Sequence, residues 1–299
     1  MTQRRLAHGA ILLLAQLGAA NAATPVDRQV PADPAGTLEV HNIVGSVEVI
    51  GGNRRDVHVT GTLADNVERL DVSTDGARVI VRVVMREDSR SWDNGTRLTV
   101  EAPAAMELDI RTVSASIDVR GSEGEQRLRS VSGNVVTNGF TSELDASSVS
   151  GNVTVRGGGV AGDARTVVKS VSGRVTVDGI AGEVQAESVS GRVDITASSL
   201  RRAQVSSISG DVSVRSGLAS DSRIEAETTS GDVTFVIAGD AAAEYELSSF
   251  SGNIRNCFGP PAPAASSFGP PSREHRFREG SSNARVRANT MSGTIELCQ

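Results

Sequence analysis

The sequence predicts an all-β fold, namely a parallel β-helix (β-solenoid) with turns of about 20 residues and a less regular N-terminal part. A Ser-Gly pair recurs along the chain, with steps of 18, 22, 18, 19, 21, 21 and 41 residues between successive glycines. Apolar residues recur at fixed offsets from these glycines, which stacking in register requires. An antiparallel sandwich or barrel built from hairpins is the alternative. The pairs are Ser132-Gly133, Ser150-Gly151, Ser172-Gly173, Ser190-Gly191, Ser209-Gly210, Ser230-Gly231, Ser251-Gly252 and Ser292-Gly293.

Each repeat predicts two short strands around a tight bend at the glycine. Apolar residues lie two and four positions after it, as Val153 and Val155 do after Gly151, and often five and seven before it. The residue two before the glycine, such as Val149, is usually apolar as well. This alternation is typical of half-buried strands, and glycine supplies the positive φ or the close backbone approach that a bend needs. The spacers between repeats, such as residues 215–223, are expected to be surface loops.

Residues 1–22 have the pattern of a secretory signal peptide. Arg4 and Arg5 form the charged start, a short apolar run covers residues 10–20, and the small residues that follow predict cleavage after Ala22. The run is too short to span a bilayer, and no later run reaches the roughly 20 residues required. We therefore expect an exported protein, periplasmic or extracellular at the cell surface, without a transmembrane segment.

The remaining chain divides into three predicted segments: residues 23–36, a polar N-terminal segment; residues 37–107, irregular N-terminal β turns; and residues 108–299, the regular repeat. A proline-rich insertion at about 257–276 accounts for the 41-residue step and is expected to be extended rather than a strand. The only tryptophan, Trp92, is expected to pack over the N-terminal end of the stack.

No constellation of residues in the sequence is typical of a catalytic or metal site. His41, His58 and His275 have no ligand partner at metal-binding spacing, and each is expected to be an exposed strand or loop residue. The serines of the Ser-Gly pairs recur in every turn, outside the context of a nucleophile elbow. We therefore predict no catalytic residue, no cofactor and no metal.

Acidic residues concentrate between positions 211 and 246, and arginines dominate the segment that follows. In a stacked fold, several of these carboxylates are expected to be neighbours on consecutive turns, either as a solvated acidic face or as a cation site. The formal net charge of −6 argues against a nucleic-acid partner. The acidic residues are Asp211, Asp221, Glu225, Glu227, Asp232, Asp240, Glu244 and Glu246.

The signal peptide, the stacked Ser-Val-Ser-Gly-x-Val-x-Val units and the final Ser292-Gly293-Thr294-Ile295-Glu296-Leu297 together resemble the bacterial putative-adhesin β-strand-repeat family. The resemblance covers roughly residues 38–299. It implies an exported bacterial domain of unknown function with a parallel β-helix, and it carries over no functional residues.

The sequence therefore favours an exported, non-enzymatic, adhesin-like binding or structural protein of the bacterial envelope or surface. Its ligand, a glycan or a protein, is not encoded in any motif. A carbohydrate-active β-helix enzyme is one alternative, with the acidic cluster as its only candidate site. A structural module that associates end to end is another.

Cys257 and Cys298 are predicted to form a disulfide. Each lies five residues after a repeat glycine, Gly252 or Gly293, and these glycines belong to consecutive turns if the proline-rich segment is an insertion. Equivalent residues on consecutive turns lie about 4.8 Å apart, within the Cα range that a disulfide allows. The bond is expected to fix the last strand, which is predicted to have no cap after it.

Overall fold

The computed structural model describes residues 24–87, 95–157, 164–262 and 273–299, and this part of the chain is entirely β. It forms one mixed sheet of 21 strands. The first ten are β1 (Thr24–Pro31), β2 (Thr37–Gly52), β3 (Asp56–Leu63), β4 (Val67–Asp75), β5 (Arg78–Met85), β6 (Thr96–Pro103), β7 (Glu107–Arg120), β8 (Gln126–Ser130), β9 (Val135–Asn138) and β10 (Leu144–Ser148). The others are β11 (Val153–Arg156), β12 (Arg165–Ser170), β13 (Val175–Ser188), β14 (Val193–Ser207), β15 (Val212–Thr228), β16 (Val233–Ile237), β17 (Ala243–Ser249), β18 (Ile254–Asn256), β19 (Arg273–Glu279), β20 (Arg285–Thr290) and β21 (Ile295–Cys298).

Successive repeats pair in parallel, and equivalent positions lie opposite each other. After the glycine, Val153 of β11 lies between Val135 of β9 and Val175 of β13. Before the glycine, Leu144 of β10 lies between Gln126 of β8 and Thr166 of β12. Residues at the same offset from their repeat glycine are therefore paired with each other in the sheet.

The apolar residues after each glycine form two buried columns. Members of both columns, such as Val153 and Val155, are 0% exposed. The positions five and seven before the glycine add two more columns, in which Ala146 and Leu144 are also fully buried. At about 25 cal/mol per Å² of apolar surface removed from water, these columns supply most of the folding free energy.

A buried hydroxyl three residues before each glycine closes the bend. In one repeat, Ser148 Oγ accepts a hydrogen bond from the Gly151 amide at 3.0 Å and donates one to the Gly133 carbonyl at 2.9 Å. It thereby satisfies polar backbone groups at the bend that would be costly to bury alone. The hydroxyls belong to Thr112, Ser130, Ser148, Ser170, Ser188, Ser207, Thr228, Ser249 and Thr290.

Close approach, rather than positive φ, explains the glycine at each bend. None of the eight repeat glycines is among the positive-φ residues of the described chain. A Cβ added to Gly151 would lie well inside 3.0 Å of the Gly133 carbonyl oxygen in the neighbouring repeat. The bends stack backbone against backbone, so any side chain there would separate the turns.

The expected surface loop at residues 215–223 is wrong, because this spacer lies within β15. Ser199 and Leu200 of β14 pair with Gly217 and Leu218 of β15, past a register shift. Leu200 is fully buried. Neighbouring spacers of similar length therefore pair with each other, and the sheet continues through them.

At the N-terminal end, β2 lies inside the stack. It pairs with β7 on one side and with β5 and β6 on the other, all in parallel. Antiparallel partners then cover the outer edge: β4 on β5, and β3 followed by β1 on β6. Part of the predicted polar segment thus forms β1. Trp92 and Ala22 fall outside the described residues, and their assignments stay predictions.

At the C-terminal end, the last repeat of the sequence is not the last of the stack. β20 lies between β15 and β17, and β21 lies between β16 and β18. The prediction of an uncapped final strand is therefore wrong, because β21 has partners on both sides. Within the described residues, the three-residue β18 pairs on one side only, and antiparallel β19 covers β17.

An aromatic cluster explains why β17 lies outermost. The ring of Tyr245 on β17 stacks on Phe277 of β19, with centroids 4.8 Å apart, and meets Phe258 edge-on at 5.5 Å. The Tyr245 hydroxyl donates to the Ala241 carbonyl at 2.6 Å, and burial raises the pKa of this phenol. These rings close the end of the core, which the smaller Val286 and Ala288 of β20 could not cover. Residues 273–276, predicted as part of the insertion, belong to β19.

Cys257 and Cys298 are joined by a disulfide, with Cα atoms 4.8 Å apart. The bond follows the parallel pairing of β18 with β21. Because β21 is held on both sides, the segment that the disulfide holds in place is β18.

Removing this disulfide should therefore loosen β18 and not β21. In a Cys257→Ser/Cys298→Ser variant, we expect faster hydrogen exchange at Arg255 and Asn256, with the protection of β21 amides unchanged. Loop closure predicts a loss of roughly 3–4 kcal/mol in the free energy of unfolding. Non-reducing mass spectrometry of the wild type provides the control, and two free thiols there would contradict the assignment.

Candidate functional site: an apolar ridge and a charged groove

An exposed column of apolar side chains runs along the bends of the stack. Its members lie two residues before a repeat glycine, or before Ala115 in the case of Val113, and are 39% to 59% exposed. We call this column the apolar ridge. In spatial order it comprises Val113, Val131, Val149, Val171, Val189, Ile208, Met291 and Phe250, with Thr229 between Ile208 and Met291.

The position two residues before the glycine was expected to belong to a half-buried strand face, and its place in the exposed ridge shows that this expectation is wrong. The preceding residue, such as Ser148, continues the inward alternation of its strand, and the chain then turns. Val149 is consequently at the tip of the bend and points outward. The serine that follows, such as Ser150, is also exposed, so a hydroxyl column accompanies the ridge.

Backbone groups along the ridge are already paired. The Val149 amide donates to the Val131 carbonyl at 3.2 Å, and the Ser150 amide donates to the same oxygen at 2.9 Å. A partner on the ridge therefore meets apolar side chains and hydroxyls rather than open backbone. With steps of about 4.8 Å, the ridge is roughly 38 Å long.

The predicted acidic cluster does not form one face. Asp211 and Asp232 lie at the bends, where each accepts a hydrogen bond from a backbone amide of the neighbouring repeat, at 3.1 and 2.7 Å. Asp211 also pairs with Arg192 at 2.5 Å. Glu227 lies on β15 and accepts a hydrogen bond from Asn289 at 3.1 Å.

Three other carboxylates, Glu225, Glu244 and Glu246, line a groove of about 430 Å³ on the outer face of β14, β15, β20 and β17. They are separated by arginines because β20 inserts between β15 and β17. The ion pairs of these carboxylates are Arg287–Glu225 (3.5 Å), Arg287–Glu246 (2.9 Å), Arg276–Glu246 (2.8 Å), Arg285–Glu244 (3.3 Å) and Arg278–Glu244 (3.4 Å).

Among the groove carboxylates, Glu246 has a lowered pKa because of its hydrogen bond with Arg287. The side chains in these pairs are 33% to 69% exposed, so each pair contributes little to stability. The basic segment thus neutralises the groove carboxylates.

One column of residues along the groove contains three adjacent arginines without intervening carboxylates. Arg202 of β14, Arg223 of β15 and Arg285 of β20 occupy the same register position on three adjacent strands. All three lie eight residues before a repeat glycine. Counting that offset along the sequence would have found the column, although the sequence analysis did not include it.

The three histidines among the described residues have different environments. His41 is hydrogen-bonded to Glu39 at 2.6 Å, and this bond lowers the pKa of that carboxyl. His58 meets Asp27 at 2.9 Å, which raises the pKa of the imidazole. His275 contradicts the expected exposure: it is 6% exposed, its ring packs on Phe277, and Nε2 lies 3.1 Å from the Pro260 carbonyl.

Among the described residues, one group of three potential metal ligands lies close together: Cys257, Glu296 and Cys298. Both sulfurs are in the disulfide, which leaves one carboxylate. None of the described residues forms a helix of the length and hydrophobicity that a membrane crossing requires.

Several solved structures are similar to this chain at low identity. A putative adhesin from Bacteroides fragilis is 12% identical, with 92% of this chain and 98% of that chain covered and a TM-score of 0.47. A putative lipid binding protein from Parabacteroides distasonis is 12% identical, with 92% and 97% covered and a TM-score of 0.45. A putative adhesin from the same species is 11% identical, with the same coverage and a TM-score of 0.42.

No curated protein matches the sequence at a significant level. The family model described as Toastrack DUF4097 matches residues 36–298. This match includes every repeat and both cysteines. The chain therefore belongs to the Toastrack DUF4097 family.

Proposed function

We propose that this chain is an exported, non-enzymatic, adhesin-like protein of the bacterial envelope or surface that binds a partner protein along its apolar ridge. The exposed ridge is the observation that carries the proposal. The fold that presents it is a parallel β-helix with turns of about 20 residues.

The strand register supports the β-helix. Val135, Val153, Val175 and Val193 follow one another across four parallel strands, at sequence steps of 18, 22 and 18 residues. Each step returns the chain to the same column, as one turn of a solenoid does. The disulfide is typical of an oxidising compartment and agrees with the signal peptide expected at residues 1–22.

The ridge has the chemistry of a contact surface. Single exposed apolar residues are ordinary, but a line of eight that is interrupted only by Thr229 is not, and such patches mark interaction sites in soluble proteins. The core does not need these side chains, because its columns are filled by other positions of the repeat. An apolar residue at the tip of nearly every bend is better explained by contact with a partner.

A protein fits the ridge better than a glycan does. Sugars are commonly held by planar aromatic rings and by charged or amide groups, whereas the ridge consists of aliphatic side chains with Phe250 at one end. Its flank of serine hydroxyls suits the polar rim of a protein interface.

The enzymatic alternative has weaker support. Catalysis by a glycosidase-like mechanism needs two carboxylates on either side of one bond. Asp211 lies at a bend with Arg192, and Glu227 lies on a strand with Asn289, so these two carboxylates of the predicted cluster are engaged separately. The groove carboxylates are each paired with arginine.

The proposal is tested by binding to isolated bacterial envelopes. A ridge variant carries Val131→Ser, Val149→Ser and Val171→Ser. A matched variant carries Val136→Ser, Thr154→Ser and Thr176→Ser, which form an outward column of the same three repeats. We expect at least tenfold weaker binding for the ridge variant and no change for the control, with both melting temperatures within about 4 °C of wild type.

Treatment of the envelopes identifies the partner class. Protease treatment should abolish binding, and periodate oxidation of glycans should leave it intact. Undiminished binding by the ridge variant would contradict the ridge as the contact surface. Binding that survives protease treatment but is lost after periodate oxidation would show that the partner is a glycan and not a protein.

A further inference from the structure

The arginine column of the charged groove places three positive charges side by side. Arg202, Arg223 and Arg285 are direct neighbours on parallel strands, so their Cα atoms are separated by about 4.8 Å per step. Ala203 and Ile224, which follow Arg202 and Arg223, are buried, so the alternation along each strand points these arginines outward. All three side chains line the groove.

Two of the three arginines in this column have no counter-ion among the described residues. Among the described residues, neither Arg202 nor Arg223 has an ion pair or a side-chain hydrogen bond, and Arg285 shares Glu244 with Arg278. Like charges directly opposite each other destabilise a sheet. Elsewhere in the same column, the protein uses carboxylates: Glu183 precedes Arg202, and Glu244 follows Arg285.

The unneutralised arginines border a space that can hold a ligand. The groove of about 430 Å³ is open to solvent, and Ala203, Ile224 and Val286 also line it. Gln204, two residues after Arg202, adds an amide donor in the neighbouring column of the same face. The carboxylates adjoin the arginines: Glu244 follows Arg285 in the arginine column, and Glu225 and Glu246 lie in the column of Gln204.

We propose that Arg202, Arg223 and Arg285 bind a ligand that carries phosphate groups. Guanidinium groups bind phosphate oxygens through paired hydrogen bonds. A phosphate monoester has three acceptor oxygens and a charge near −2, so it can engage two arginines of the column together. A single carboxylate has two oxygens and one charge, and it satisfies one guanidinium. This site goes beyond the proposed function and shares no residue with the apolar ridge.

The length of the column predicts a preference for several linked phosphates. Three arginines extend over about 10 Å, which one phosphate cannot cover. We therefore expect tripolyphosphate to bind more tightly than pyrophosphate, and pyrophosphate more tightly than inorganic phosphate. Binding should weaken as sodium chloride is raised, because the contacts are charged and exposed.

Isothermal titration of the purified, disulfide-bonded chain with these three probes tests the site. We expect at least tenfold weaker tripolyphosphate binding for Arg202→Gln/Arg223→Gln. The control is Arg156→Gln, an exposed arginine without an ion pair among the described residues and outside the groove. Failure of all three phosphates to bind, or equal losses in the double variant and the control, would overturn the proposal.

Two further arms define the source of the phosphate. Co-sedimentation with vesicles that contain phosphatidylglycerol tests a lipid headgroup as the ligand. Tripolyphosphate represents a soluble or polymer-borne phosphate. Loss of vesicle binding or of tripolyphosphate binding in the double variant supports the site. Tighter arginine-dependent binding of polygalacturonate than of tripolyphosphate would overturn the assignment to phosphate. The ridge variant should keep full phosphate affinity, so the two proposals can fail separately.

Discussion

Replacing Val153 by aspartate should lower the free energy of unfolding by about 4 kcal/mol, the largest effect that we expect from a single substitution. Val153 is fully buried between Val135 and Val175 in the column after the glycine. A carboxylate there would have apolar neighbours on adjacent turns and no partner for its charge. The loss is measured by urea denaturation followed by circular dichroism.

The matched control is Val149→Asp, the same chemical change four residues earlier in the same repeat. Val149 belongs to the apolar ridge and is 45% exposed, so an aspartate there remains solvated. We expect its unfolding midpoint to stay close to that of the wild type. Equal losses in both variants would contradict the assignment of one position to the core and the other to the surface.

Replacing Gly151 by alanine is expected to cost about 3 kcal/mol, since the added methyl group overpacks the bend. The new Cβ would collide with the Gly133 carbonyl oxygen, which is backbone and cannot rotate away. The turns would have to separate locally, and the hydrogen bonds of Ser148 to both glycines would lengthen.

Gly52→Ala separates this steric effect from the general effect of losing a glycine. Gly52 also lies outside the positive-φ residues, and no atom within 4 Å would meet its Cβ. Its unfolding free energy should remain unchanged or rise slightly, because alanine restricts the unfolded chain. A Gly151→Ala protein as stable as Gly52→Ala would show that the bends are not in close contact.

The sequence was sufficient to predict most of the core. Residues such as Val153 and Val155 recur at fixed distances from a glycine, and a repeating offset becomes a column once the turns stack in register. The same logic placed Cys257 beside Cys298, because both lie five residues after a glycine. It could also have revealed Arg202, Arg223 and Arg285 through their common offset.

The direction of a side chain at the bend could not be predicted by alternation alone. Counted back from Val153, alternation points Val149 inward, whereas counted forward from Leu144 it points Val149 outward; the turn after Ser148 makes the second count the correct one. The buried hydroxyl of Ser148 forms part of that turn, and its role depends on a carbonyl in the neighbouring repeat. Both features became visible only with the three-dimensional path of the bend.

By itself, the sequence determined which residues share a column, because the register within a turn is set by a local and repeated pattern. The order of turns along the stack was decided only by the tertiary structure. The repeat at Gly293 lies between those at Gly231 and Gly252, since β19 and its aromatic cluster already cover the outer side of β17. This non-local choice inserts Arg287 between Glu225 and Glu246, and Arg285 between Arg223 and Glu244, and it converts a predicted acidic face into a groove lined by arginines as well.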